Sequence, residues 1–198
     1  MTVPERASEP EAADVDVDAL ARAARDGDAA AVEALLRALL PRARRWLYRL
    51  LGPDALDDAV QEALIAIAAA VPRFRGDAAF ETYAHRIAVR VAYRHLKAQR
   101  RRPSLTLVAP PADDRDPESR AISRQQLERL RVAVDGLSPD ARVAFVLCSI
   151  EGRPPREAAA IAGTSALVMR VRAHRARKAV ERSLGADPMF SDDEGGAR

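Results

Sequence analysis

Three groups of side chains carry chemistry in this chain of 198 residues. The first is acidic. Asp54, Asp57 and Asp58, followed by Gln61 and Glu62, fall within the opening turns of one helix. Carboxylates there are favoured by the helix dipole, by a fraction of a kcal/mol to about 1 kcal/mol each, and the same residues offer a docking face to a basic partner. A metal fits poorly, because no His joins the cluster and one helical turn cannot wrap an ion. The second group is aromatic and basic. Arg73, Phe74, Arg75, Gly76 and Asp77 form a loop, Phe80 and Tyr83 follow, and then come Arg86, Arg90, Arg94, Lys97 and Arg100–Arg102. Aromatics beside cations suit unpaired nucleic-acid bases, since stacking accepts any base face while cations follow the backbone. Phe80 also fits a core position, whereas Phe74, in the loop, is expected to be exposed.

The third group is Ser165, Arg170, Arg172, His174, Arg175, Arg177 and Lys178. At 100° per residue, Met169, Ala173, Ala176 and Val180 make an apolar stripe, and Arg170, His174, Arg177 and Lys178 fall on the other side, with Arg175 beside them. A helix with a basic face, preceded by a short helix and a Gly-containing turn, suits the DNA major groove. Arg-rich faces also occur as plain solvated surface in chains this rich in Ala and Arg.

Ala supplies 42 residues and aromatics only 4%, a balance that favours closely packed helices over sheet. The formal net charge of +3 hides segregation. Residues 86–102 carry +7 and 137–182 carry +5, against −5 over 1–18, −4 over 52–85 and −3 over each of 103–119 and 183–198. Local attraction for polyanions is therefore set among acidic segments. Uncharged runs such as 63–72 and 103–112 span ten residues, half of what a bilayer crossing needs, and the N-terminus turns acidic rather than basic. The expectation is a cytoplasmic protein without membrane insertion. Cys148 sits in an apolar run with no His or Cys placed to activate it. His85, His95 and His174 lack metal-ligand spacing, and no Gly-rich phosphate loop, G-x-S-x-G or H-E-x-x-H occurs. No catalytic residue, cofactor or metal is expected.

The elements that must position these groups follow from periodicity. Leu56, Val60, Leu64, Ile67 and Val71 line a helix opening after Gly52-Pro53-Asp54 and ending before Pro72. Phe80, Ala84, Ile87 and Val91 line the next, expected to be capped by Asp77 and to run to about Arg100. Upstream, 29–40 and 42–51 read as one helix or as a pair broken near Pro41. These make a first domain, 18–102. Residues 103–119 hold Pro103, Pro110, Pro111 and Pro117 with an acidic cluster and read as a linker. The second domain, 120–184, has helices at about 118–135, from Ser138-Pro139-Asp140 to Gly152, at 155–162 before Gly163, and from Thr164-Ser165 to Leu184. Acidic tails, 1–17 and 185–198, read as disordered. The fold expected is all-α: two small helical domains joined by a flexible acidic Pro-rich linker, the second containing a helix-turn-helix.

Taken together, these motifs resemble a bacterial RNA polymerase sigma factor of the extracytoplasmic-function group (sigma-70 family, group 4). Asp57-Asp58-Ala59-Val60-Gln61-Glu62 is similar to the family's acidic D/E-D-x-V-Q-E motif, and the resemblance implies that Asp57, Asp58, Gln61 and Glu62 dock on the clamp helices of core RNA polymerase. Arg73-Phe74-Arg75-Gly76 through Phe80 resembles the loop that captures a flipped base of the −10 element. The implied −10 contacts are Arg73, Phe74, Gly76, Asp77, Tyr83, Arg86, Arg90, Arg94 and Lys97. Leu137-Ser138-Pro139 through Glu151-Gly152, then Glu157 to His174-Arg175-Ala176-Arg177, resembles region 4, which implies −35 contacts from Ser165, Arg170, Arg172, His174, Arg175, Arg177 and Lys178. Core polymerase (clamp helices and flap), promoter DNA and an anti-sigma factor are the implied partners. The chain departs from the pattern at Tyr83, where a Trp is usual, at Val89-Arg90 in place of Arg-Asn, at Pro154-Pro155, and at Leu167-Val168 in place of Gly-Thr. Two rival readings are a two-domain DNA-binding regulator that is not a polymerase subunit and a carboxylate-metal phosphohydrolase. The first leaves the acidic face and aromatic loop unassigned, and carboxylate spacing argues against the second.

Overall fold

The computed structural model describes residues 16–100 and 117–185. Within them every regular element is helical. Helix α1 (Val17–Arg25) is capped by Asp16, whose carboxylate accepts from the Ala19 amide at 2.9 Å. Asp28 caps α2 (Ala29–Leu51) in the same way through the amides of Ala30 and Ala31. Helix α2 runs unbroken through Pro41. Pro41 faces solvent, while Leu35, Leu39, Ala43, Trp46 and Leu50 bury one continuous stripe across it, and that packing carries the helix past the missing hydrogen bond.

Helix α3 (Leu56–Ala70) passes into a 3-10 turn at Val71–Arg73, and α4 spans Phe80–Gln99. Asp77 does not cap α4, contrary to expectation. The residue before the helix is Ala79, which offers no side-chain bond, and the cap arrives from α1, where Asp18 accepts from the Phe80 amide at 2.6 Å. An acceptor 62 positions away in the chain does the work that Asp77, two residues too early, cannot reach.

The second half comprises α5 (Pro117–Asp135), α6 (Pro139–Phe145) continued by a π turn at Val146–Ile150, α7 (Pro155–Ala162) and α8 (Ala166–Gly185). Helix α5 starts at Pro117, a residue suited to a first turn, so the last residues of the expected linker are helical. Ser138 and Ser165 cap α6 and α8, accepting from the amides of Ala141 and Val168 at 3.2 Å each. Gly163, at φ 68°, ends α7 in the left-handed conformation that a side chain resists. The helix-turn-helix is therefore present as expected. The rest of the expected linker, Arg101 and Arg102, and most of both acidic tails lie outside the described residues.

Two independent cores were expected, and the packing differs. A small cluster of Ala133, Val134, Phe145, Ala176 and Val180 belongs to the second half alone. The main cluster is continuous, joining Leu35, Leu39, Ile67, Phe80 and Val91 to Val143, Leu147, Ile161 and Met169. Helix α4 is the shared wall. Its Arg86 Nε donates to the Ala160 carbonyl at 2.9 Å, and its Tyr93 hydroxyl donates to Asp140 at 2.9 Å. Ala-rich faces let the helical layers approach closely enough to merge their apolar surfaces.

Candidate nucleic-acid interface

The acidic group opens α3. Asp57 and Asp58 sit in the first turn and are exposed, Asp57 pairing with Arg44 of α2 at 2.8 Å. Gln61 is exposed on the same side. Glu62 is committed elsewhere, since its carboxylate takes hydrogen bonds from Arg94 at 2.5 Å and pairs with His95 at 2.9 Å, both on α4. Those bonds, Arg94 first and His95 second, hold its pKa below the usual carboxylate value. Ile65, one turn beyond Gln61 and 63% exposed, belongs to this face and was not picked out from the sequence. Its signal was there, since Ile65 falls off the stripe of Leu56, Val60, Leu64 and Ile67.

Phe74 contradicts its expected exposure. The 3-10 turn closes with the Phe74 amide donating to the Val71 carbonyl at 3.0 Å, and the ring folds inward. It meets Phe80 edge-on at 4.8 Å between centroids, with Tyr83 at 5.4 Å from Phe74 and 5.8 Å from Phe80. A large ring next to a helix start gains more from this apolar pocket than from water. The exposed part of the loop is polar: Arg73, Arg75, Gly76 and Asp77, with Gly76 at φ 81° making the reversal. Tyr83 is half-buried at the cluster's edge.

Arg86, Arg90, Arg94 and Lys97 lie at i, i+4, i+8 and i+11, on one face of α4. Arg90 and Lys97 are exposed and have no ion pair among the described residues. Arg86 and Arg94 are engaged with Ala160 and Glu62. On α8, Met169, Ala173, Ala176 and Val180 are buried as expected, and Arg170, His174, Arg175, Arg177 and Lys178 are exposed. Lys178 pairs with Glu181 at 3.0 Å. Arg172 is turned to the flank and pairs with Asp140 at 3.3 Å, beside Tyr93. Ser165 serves as the cap, its hydroxyl accepting from the Val168 amide.

A buried polar group escaped sequence reasoning. His85 is fully buried, its ring stacked on Trp46 at 4.3 Å and 10°. Its Nε2 lies 3.9 Å from Glu151, which the π turn carries inward and which also pairs with Arg49 at 3.5 Å and Arg153 at 3.1 Å. Neither ring nitrogen has a hydrogen-bond partner among the described residues. Burial, with the nearby Arg153 and Arg49 charges, pushes the His85 pKa down to about 3. The imidazole is thus a neutral packing ring where the two halves meet. His85 lies off the stripe of Phe80, Ala84, Ile87 and Val91, on the α4 face it shares with the buried Ala88, Ala92 and Leu96. That stripe gave no hint of its burial, and nothing local points to Glu151.

Residues 35–102 match the family model for Sigma-70 region 2, and residues 127–180 that for Sigma-70 region 4. The ECF RNA polymerase sigma factor SigC of Mycobacterium tuberculosis is 31% identical over 164 residues, covering 83% of this chain and 89% of that protein. The chain belongs to the extracytoplasmic-function group of sigma-70 family sigma factors. The ECF RNA polymerase sigma-E factor of Escherichia coli is 34% identical over 138 residues, covering 64% of this sigma factor and 72% of that one. Among solved structures, CnrH in complex with the cytosolic domain of CnrY superposes with a TM-score of 0.63 at 26% identity, covering 87% of this chain and 99% of that one. The sigma factor RpoE of Bartonella quintana, solved with the anti-sigma factor NepR, shares the fold at a TM-score of 0.57 and 23% identity, covering 78% of this chain and 97% of that one. The region 2 match spans α3, the polar loop and α4, and the region 4 match spans the helix-turn-helix.

Proposed function

We infer that this sigma factor binds core RNA polymerase and directs initiation at promoters carrying −10 and −35 elements. The observation that carries the reading is the pairing of two exposed cationic faces, on α4 and α8, with the region 2 and region 4 matches. Asp57, Asp58 and Gln61 present the docking surface for the polymerase clamp helices, and region 4 meets the flap. Glu62 acts behind that surface by fixing Arg94 and His95. Arg73, Arg75, Gly76, Asp77 and Tyr83 form the edge at which an unpaired −10 base is held, and the buried Phe74 braces that loop. Arg90 and Lys97 hold phosphates, while Arg86 and Arg94, on the same face of α4, are held by the Ala160 carbonyl and Glu62. On the −35 side, Arg170, His174, Arg175, Arg177 and Lys178 face the groove and its phosphates.

The chemistry is binding and strand separation, with no bond made or broken by this chain, so it is read as a non-catalytic initiation factor. A cytoplasmic location follows from work on chromosomal DNA, and no described helix is long and apolar enough to cross a membrane. An anti-sigma protein is the expected regulator, a reading supported by the likeness to CnrH held by the cytosolic domain of CnrY. Arg170→Ala and Arg175→Ala in the holoenzyme test the DNA role. Each should weaken promoter binding and lower the salt slope by about one for every phosphate the side chain neutralises in wild type. Unchanged slopes for both, and for Arg177→Ala and Lys178→Ala, would overturn it.

A further inference from the structure

Helix α8 leaves three apolar side chains in solvent. Leu167 is 68% exposed, Val171 41% and Val168 39%. Leu167 and Val171 are one turn apart and, at 100° per residue, differ by only about 40° in direction, so they form a short ridge. That ridge lies opposite the buried stripe of Met169, Ala173, Ala176 and Val180 and is therefore the part of α8 that stands furthest from the protein. It belongs to the N-terminal half of the helix, the end whose side chains reach base edges when a recognition helix enters the major groove.

The surroundings decide what covers it. Arg170 flanks the ridge on one side and Arg175 on the other, His174 and Lys178 continue it, and the first acid on α8 is Glu181. An apolar protein surface seated there would trap these cations without counter-charge. A DNA groove supplies phosphates on both flanks, and at its floor the one apolar group of the base edges, the thymine C5-methyl.

We propose that Leu167 and Val171 determine −35 specificity by packing on thymine methyl groups, while the flanking Arg170 and Arg175 hold the strand on either side. The proposal rests on α8 being the −35 recognition helix. It assigns base discrimination to the centre of the exposed face, and the arginines that the charge pattern emphasises to its margins. Val168, further round the helix, serves at the edge of the same contact.

The test uses holoenzyme assembled from the full chain and core polymerase, with a promoter that it selects from a library randomised over the −35 element. Each thymine of the selected element is then replaced by deoxyuridine, which removes the methyl and nothing else. Wild-type holoenzyme should lose about fourfold in affinity at one or two positions, the equivalent of the ~0.8 kcal/mol of one buried methyl group. Leu167→Ala or Val171→Ala should bind the thymine promoter about as weakly as wild type binds the uracil one, and should lose nothing further on the swap. Both side chains are exposed, so thermal melts of the variants should match wild type. A selected element without thymine, full tolerance of every deoxyuridine, or variants keeping the wild-type loss would each overturn the proposal. A loss confined to core polymerase affinity would also overturn it, by making the ridge a polymerase contact. Failure of the underlying reading looks different: Arg170→Ala and Arg175→Ala would then leave affinity and salt slope untouched.

Discussion

His85→Phe should remove much of this protein's sensitivity to mild acid. In the folded chain His85 is buried against Trp46 and its pKa is pushed down to about 3, from an ordinary value of 6.5. A base whose folded pKa is depressed adds stability above the unfolded pKa, and that stability is lost as pH falls from 6.5 toward 3. Between pH 7 and pH 5 the unfolded chain takes up about 0.7 of a proton at this position while the native state takes up almost none, a loss of about 2 kcal/mol. Phe keeps an aromatic ring on Trp46 and removes two unpaired nitrogens, so at pH 7 the variant should lie within about 1.5 kcal/mol of wild type. Glu151, Arg49 and Arg153 are the charged groups grouped around the ring, and all three are present in both proteins. Urea unfolding followed by far-ultraviolet circular dichroism at pH 7 and pH 5 gives four free energies. The drop between the two pH values should be about 2 kcal/mol larger for wild type than for His85→Phe. Equal drops would refute the assignment of His85 as a neutral, buried ring.

Three further outcomes follow from the packing and the surfaces. Phe74→Ala should destabilise the chain by about 3 kcal/mol, because the ring is buried against Phe80 and Tyr83; a variant that melts like wild type but loses promoter binding would return Phe74 to the surface. Asp18→Ala should cost about 1 kcal/mol by uncapping α4, with Asp77→Ala costing far less, and urea midpoints showing the reverse order would restore the local cap. Asp58→Lys should weaken capture of core polymerase by tenfold or more in a fluorescence anisotropy titration. Its thermal melt should barely move, since the side chain is exposed, and undiminished capture would remove Asp58 from the docking face.

Legibility in the sequence follows the range of the interactions. Helix starts written in adjacent residues, such as Ser138-Pro139 and Thr164-Ser165, are readable because the cap and the amide it serves lie within three positions. The stripe of Met169, Ala173, Ala176 and Val180 is readable because burial on one helix face repeats at fixed spacing. Asp18 on Phe80 is not, since the acceptor comes from another helix. Phe74 misleads for a related reason. A ring in a Gly- and Arg-rich loop looks exposed until the 3-10 turn and the α4 start supply a pocket for it. Glu62 is visible as part of an acidic motif, yet its hydrogen bonds to Arg94 and His95 depend on how α3 lies on α4. The meeting of the two halves at His85 and Glu151 is invisible, because it depends on a π turn whose sequence, Val146–Ile150, reads as ordinary apolar helix.

The most direct test of the chain as a promoter-recognising polymerase subunit is run-off transcription with purified core RNA polymerase on a panel of promoters, with and without the protein. Initiation at defined start sites should occur on a subset of promoters only when the protein is added, and Asp58→Lys should abolish most of it without unfolding the chain. Binding of promoter DNA by the free protein, with no association with core polymerase and no new start sites, would contradict that role.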